Sequence, residues 1–177
     1  MNRPSLLLAG LSVAGLVILL WFVLLIPTQT GFGYDAYAFW DVRLDDIYGR
    51  SFGQLTAHGA FRYSPPIALL FAPFHLLPWP VFLAVWTAAL AAALAWLGGR
   101  WTIASCVFIG IPMSLYEGNI DMLIAASVVL GFRWPAAWSF AILTKVTPGV
   151  GLIWYVARRD FRSLGIALGS TALMIVV

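Results

Sequence analysis

The sequence predicts an all-α, polytopic membrane protein: a transmembrane helical bundle with one long outer loop and re-entrant or broken helices. Three observations predict it. Of the 177 residues, 62% are hydrophobic and 10% charged, where a soluble domain carries about 45–50% and about 25%. The apolar residues come in blocks about as long as a bilayer is thick. Aromatic residues are abundant, with nine Trp, twelve Phe and six Tyr, as expected where rings sit at membrane interfaces. These features exclude an ordinary soluble enzyme, a coiled coil and a disordered tail. The net charge of +3 does not indicate nucleic acid, because the arginines are scattered between apolar blocks and read as topology signals. A single cysteine, Cys106, permits neither an internal disulfide nor a thiolate metal site.

The elements follow in chain order. Residues 6–26 form a charge-free run of about 21 residues, long enough to cross at 1.5 Å per residue. The run ends at Pro27 with no small-residue cleavage site, so it reads as an uncleaved helix whose N-terminus is cytoplasmic. Residues 28–64 form the polar outer loop. They hold Asp35, Asp41, Asp45 and Asp46 against Arg43, Arg50 and Arg62, with short interfacial helices expected over Asp35–Trp40 and Asp45–Gln54. Pro65–Leu77 is apolar, fenced by prolines and too short to span, which suits a re-entrant or surface-lying helix.

Further spans are expected over 79–97, 101–114 and 120–132. Residues 134–157 look like one span, but Lys145, Pro148 and Gly149 interrupt its middle. A single crossing would also put Arg158, Arg159 and Arg162 outside, against the positive-inside tendency. A broken hairpin resolves both, and it leaves Arg3, Arg100, Arg133, Arg158, Arg159 and Arg162 on the cytoplasmic side. A last helix starts at 163 and runs to 177, so the whole chain reads as one transmembrane domain, the N-terminal part of a longer protein.

Four places carry candidate chemistry. Asp35 lies among Tyr34, Tyr37, Phe39 and Trp40; a carboxylate partly desolvated by rings is a better base, although the same residue also suits a helix cap. Arg62-Tyr63-Ser64-Pro65-Pro66 offers a cation and a phenol for an anionic head group, or an ordinary proline-initiated helix with interfacial anchors. Glu117-Gly118-Asn119 with Asp121 forms a polar turn on the outer side, either water-facing or lining a sugar pocket. Lys145 is the strongest single signal, because an ionisable group inside an apolar segment is costly and points by default to function; Thr144 and Thr147 flank it with hydroxyls. His75 reads as a wetted interface residue. There is no phosphate loop, no histidine or cysteine metal motif and no nucleophile elbow.

The order of motifs resembles a known family. The first helix is followed by Gly33-Tyr34-Asp35-Ala36-Tyr37-Ala38-Phe39-Trp40, then Ile47-Tyr48-Gly49, then the run Phe61 to Pro78 with Arg62-Tyr63-Ser64-Pro65-Pro66. Later come Glu117-Gly118-Asn119-Ile120-Asp121, Leu143-Thr144-Lys145-Val146-Thr147-Pro148-Gly149 and Arg158-Arg159-Asp160-Phe161-Arg162. Together these resemble glycosyltransferase family 87, membrane mannosyltransferases of the GT-C superfamily. The chain departs from the pattern at Glu117-Gly118, where the family commonly has Gly-Gln before the Asn. The resemblance implies a GT-C-like fold and transfer of a hexose, commonly mannose, from a polyprenyl-phosphate sugar to a lipid or glycan acceptor at the outer face of the plasma membrane. Asp35 matches the acidic residue used as catalytic base. Arg62, Tyr63 and Lys145 then become contacts to the donor phosphate or sugar, and Asn119 a sugar contact. Neither a nucleotide cofactor nor a metal is demanded, since the phosphate is already on the lipid. The competing readings are a lipid-linked sugar transporter or flippase, which would spread polar residues through several spans, and an inactive truncated remnant.

Overall fold

The computed structural model describes residues 3–25, 31–49 and 58–176. It is helical throughout, with no strand among the described residues. In chain order the α-helices are Arg3–Leu25 (α1), Ala36–Trp40 (α2), Pro65–Phe71 (α3), Trp79–Gly98 (α4), Thr102–Ser105 (α5), Gly110–Glu117 (α6), Asp121–Gly131 (α7), Trp138–Thr144 (α8), Ile153–Ala157 (α9) and Phe161–Val176 (α10). Short 3₁₀ turns extend α3, link α4 to α5, precede α8 and precede α9.

Two stretches are long and apolar enough to cross a membrane, Ser5–Leu25 and Trp79–Ser105; a third is available if α6 and α7, bent by 110° at their junction, count together. Only 11% of the first stretch's most apolar window is buried, so most of its leucines and valines face outward, as an apolar helix in lipid requires, while Gly15 and Phe22 are buried. The expected helix over 101–114 is split. α5 stops at Ser105, the chain turns through Cys106–Ile109, and α6 then runs on to Glu117. Pro65–Leu76 is too short to span. The prolines at its start set φ for the first turn, and Ser64 before them is extended, at ψ 153°. Of the helix expected over Asp45–Gln54, the part from Arg50 onward lies outside the described residues; Asp45–Tyr48 form turns.

The chain divides into two compact units, Met1–Tyr37 with Trp79–Met122, and Ala38–Pro78 with Leu123–Val177. In the first, α1 packs along α5 and α6, and α4 also contacts α6. α4 turns a stripe of Phe82, Trp86, Leu90 and Leu94 inward, at the four-residue spacing of one helix face. Gly15 of α1 sits against α5 so closely that an added Cβ would lie 2.0 Å from the Ile103 carbonyl oxygen. This is the small-residue contact by which helices approach in membranes.

In the second unit, α3 and α8 pack on α10 and on each other. Its centre is Trp138, 1% exposed, whose ring fills the space beside Gly131 and Gly151. The Trp138 indole N–H donates to the Tyr155 hydroxyl at 3.2 Å, and that hydroxyl donates to the Gly131 carbonyl. The ends of α7, α8 and α9 are thereby tied together without a buried polar group left over at the knot.

Gly15→Leu should lower the stability of the detergent-solubilised protein by about 1–3 kcal/mol, the range for overpacking a close contact. Gly10→Ala, on the same helix with no atom within 4 Å of the new Cβ, should not lower the thermal midpoint, and alanine's better helix propensity favours a small rise.

Candidate functional site

The candidate residues fall into two groups, one in each unit. The first is built on the end of α6. A helix that stops leaves its last carbonyls without partners, and here those of Ser114, Tyr116, Glu117 and Gly118 find donors. Gly118 closes the helix in the left-handed region, at φ 73° and ψ 33°, which glycine adopts without strain. The Asn119 N–H returns to the Ser114 carbonyl at 2.8 Å. The loop after the first span supplies the rest. Gly33 N–H donates to the Tyr116 carbonyl at 2.9 Å and Asp35 N–H to the Glu117 carbonyl at 2.8 Å. The Trp86 indole N–H donates to the Gly118 carbonyl at 2.8 Å. Gly118 lies so near Ala36 that an added Cβ would come within 2.6 Å of the Ala36 Cβ. The backbone of Asp35 is therefore pinned by the helix end beside it.

The side chain is pinned as well. Asn119 Nδ2 donates to Asp35 Oδ2 at 2.8 Å. The orientation of the amide is set from its other side, because Asn119 Oδ1 accepts the N–H of Asp121 at 3.1 Å. An amide held through its oxygen must present its NH2 to the carboxylate. Asn119 thus engages one carboxylate oxygen of a half-buried Asp35, and a carboxylate has a second oxygen with which to accept a proton. Glu117 adds a second carboxyl near enough to Asp35 to interact with it electrostatically. Of the rings expected around Asp35, Tyr37 packs edge-on to Trp79 at 5.2 Å. Phe39 belongs to the second unit and packs on Phe61, Tyr63 and Phe71.

The second group lies around the end of α8. The helix stops at Thr144, and Lys145 is extended, at φ −140° and ψ 132°. Ser64 Oγ donates to the Leu143 carbonyl at 2.6 Å, so the segment before α3 is fastened to the broken helix. That bond brings the two cationic motifs to one place. Arg62, Tyr63, Ser64, Thr144, Lys145 and Thr147 line a single groove of about 740 Å³. Its remaining wall is apolar, with Ile142, Val146 and Ile175. Tyr63 is held by stacking on Phe39 at 4.8 Å, and its carbonyl accepts the Tyr48 hydroxyl at 2.8 Å. Thr171, on α10, also lines this groove and was not a sequence candidate. Its hydroxyl donates to Ala167 in its own helix at 2.7 Å, so its only signal was the Ser170-Thr171 pair in an apolar run. His75 sits at an exposed edge, 3.2 Å from the Trp40 carbonyl and 3.9 Å from Asp41 Oδ1. Among the described residues no cluster of three metal-binding side chains occurs.

The broken apolar helices and the two groups of polar residues held at their breaks define a polytopic membrane protein whose polar groups gather at discrete sites. Residues 61–177 match glycosyltransferase family 87, and the chain belongs to that family. It is accordingly a membrane glycosyltransferase, using a sugar donor and an acceptor. The matched region contains Arg62, Tyr63, Asn119 and Lys145, whereas Asp35 precedes it. No curated protein and no solved structure matches the chain.

Ser64→Ala removes the donor from the Leu143 carbonyl. It should cost about 0.5–1.5 kcal/mol of stability, and Ser64→Thr, which retains a hydroxyl, should recover most of it. The thermal midpoint in detergent checks both.

Proposed function

We propose that the protein transfers a hexose, mannose in the reading favoured here, from a polyprenyl-phosphate sugar to a lipid or glycan acceptor at the outer face of the plasma membrane. The proposed topology keeps the N-terminus and Arg3, Arg100, Arg133, Arg158, Arg159 and Arg162 in the cytoplasm, as the positive-inside bias requires. The observation that most supports the reading is the groove in which Arg62, Tyr63 and Lys145 meet against an apolar wall, in a chain of this family. A prenyl phosphate sugar has the matching chemistry: an anionic phosphate, a hydroxyl-rich sugar and an apolar tail.

The reaction then proceeds as an inverting displacement. The acceptor hydroxyl oxygen attacks the anomeric carbon as the bond to the phosphate oxygen breaks, and the electron pair leaves with the polyprenyl phosphate. Arg62 and Lys145 hold the charge that collects on that phosphate, an electrostatic stabilisation that grows towards the transition state. The leaving group needs no proton. The acceptor does lose one, and Asp35 takes it as general base. Asn119 keeps the carboxylate oriented through Oδ2 and is the sugar-side contact of this group.

Asp35→Asn keeps the shape and removes the proton acceptor. Turnover should fall by about 10²–10⁴-fold, with the apparent affinity for donor nearly unchanged. Asp41→Asn, Asp45→Asn and Asp46→Asn serve as controls and should be nearly silent. The assay follows radiolabelled sugar from polyprenyl phosphate into membrane lipid or glycan; normal turnover in Asp35→Asn, or a larger loss in Asp41→Asn, removes Asp35 from the base role.

Lys145→Met should leave the protein folded and raise the apparent KM for the donor about tenfold or more, as expected for loss of a charge-assisted phosphate contact. Full activity with unchanged KM would make the lysine dispensable; joint loss of folding and activity would make it a structural ion-pair partner.

A further inference from the structure

We infer that one end of the second unit carries a binding surface for anionic phospholipid headgroups, built from Arg133, Trp134, Trp154, Arg158, Arg159 and Arg162. The surface is independent of the groove described above and of the transfer reaction assigned to it.

Its residues come from three stretches that the fold holds at one end. Arg133 and Trp134 follow α7, Trp154 and Arg158 close α9, and Arg162 opens α10. Phe132 joins the first two stretches, with its ring 6.3 Å from that of Trp154. The Tyr155 hydroxyl bond to the Gly131 carbonyl fixes α9 to the end of α7. The arginines and both tryptophans are exposed, Trp134 to 58% and Trp154 to 49%.

Two of the guanidinium groups lie over indoles, Arg133 5.5 Å from the Trp134 ring centre and Arg158 5.3 Å from that of Trp154. A guanidinium stacked by its face keeps its N–H fork at the edge. That fork matches the oxygens of a phosphate, and an indole at its side suits the boundary where headgroups meet acyl chains. Charge complementarity therefore selects a lipid of net negative charge over a zwitterionic one, whose phosphate is already balanced by its own cation.

Two further observations set the surface apart from a scatter of interfacial arginines. The acidic residue in its midst, Asp160, is turned to the helix: Oδ1 accepts the Ser163 N–H at 3.1 Å. Hydrogen bonds from the Ser163 side chain and backbone, with Arg158 and Arg162 adding, hold the Asp160 carboxyl below its ordinary range. Its largest commitment is thus as a cap to the orphan donors of α10, and its single charge leaves the surrounding arginines in excess. Arg159, in turn, stands where a glycine ordinarily would. It closes α9 at φ 56°, while the Asp160 N–H reaches back to the Tyr155 carbonyl at 2.9 Å, the closure that favours glycine. The turn thus carries an exposed cation between Arg158 and Arg162, at a backbone conformation that disfavours side chains.

The test uses the full chain in neutral detergent, titrated with phosphatidylglycerol or phosphatidylcholine while the thermal midpoint is followed. Phosphatidylglycerol should raise the midpoint by several degrees, about 2–5 °C, beyond phosphatidylcholine. The excess should shrink as salt rises from about 50 to about 500 mM, because exposed charge pairs are screened. The triple variant Arg133→Gln, Arg158→Gln, Arg162→Gln should lose most of the excess, and Arg43→Gln, which removes a cation paired elsewhere with Asp45, should keep it. Arg159→Gly should move two readouts in opposite directions: a higher midpoint in phosphatidylcholine, as strain is relieved, and a smaller phosphatidylglycerol increment. Equal midpoints in the two lipids, a salt-independent excess, or full retention in the triple variant would overturn the inference. So would an equal gain from inorganic phosphate, which would assign the surface to free anions. Should the triple variant not fold, the wild-type lipid and salt series decides alone. None of these readouts depends on transfer activity, so failure here and failure of the transferase reading remain distinguishable.

Discussion

Every apolar helix that stops must hand its last carbonyls to some donor, and in this chain that requirement organises the polar residues. At the end of α6 the donors are the backbone N–H groups of Gly33, Asp35 and Asn119 with the Trp86 indole. At the end of α8 Ser64 takes the role. An unpaired carbonyl in apolar surroundings costs on the order of 1–3 kcal/mol, so these segments are bound to the breaks by necessity. The candidate site residues travel with them: Asp35 beside its own N–H, and Arg62 and Tyr63 beside Ser64.

The same economy explains why the two groups differ in character. The α6 end is closed by backbone and by an amide whose two ends are both committed, so it holds a carboxylate rigidly in one orientation. That arrangement suits a group whose task is to accept a proton along a defined direction. The α8 end instead leaves a kink at Lys145 beside threonine hydroxyls and an apolar wall. It suits an elongated ligand with a charged end. Family membership says that sugar transfer is the reaction; under the proposed function the first arrangement would serve as proton acceptor and the second as cationic seat.

The candidate polar groups gather at breaks, because intact apolar helices have little to offer a polar ligand. α1 and α4 present mostly hydrocarbon, with close contacts such as Gly15 against Ile103, although Trp86 of α4 also donates to the Gly118 carbonyl. The arginines at the end of the second unit form a further concentration of charge, two of them lying over tryptophan rings. Two of the second unit's polar concentrations thus differ in form: a concave groove with one apolar wall, and an exposed basic edge with indoles.

Composition and periodicity by themselves determined that the chain is helical and membrane-bound, because hydrocarbon thickness and backbone hydrogen bonding leave a long apolar run no other option. They also marked Lys145, whose charge inside an apolar stretch is anomalous wherever it folds, and the motifs around Asp35, Arg62 and Asn119. Helix ends were less legible. The break at Cys106–Ile109 precedes Gly110-Ile111-Pro112; Pro112 cannot donate to the Phe108 carbonyl and so suits a helix start, a signal that the expected helix over 101–114 passed over. Which candidates meet was beyond the sequence altogether. Asp35 and Asn119 are 84 positions apart, and Ser64 and Leu143 are 79 apart; no local pattern encodes such a pairing. Only the tertiary structure decided it, because a carbonyl's partner is chosen by whichever donor the packing of apolar faces brings within reach.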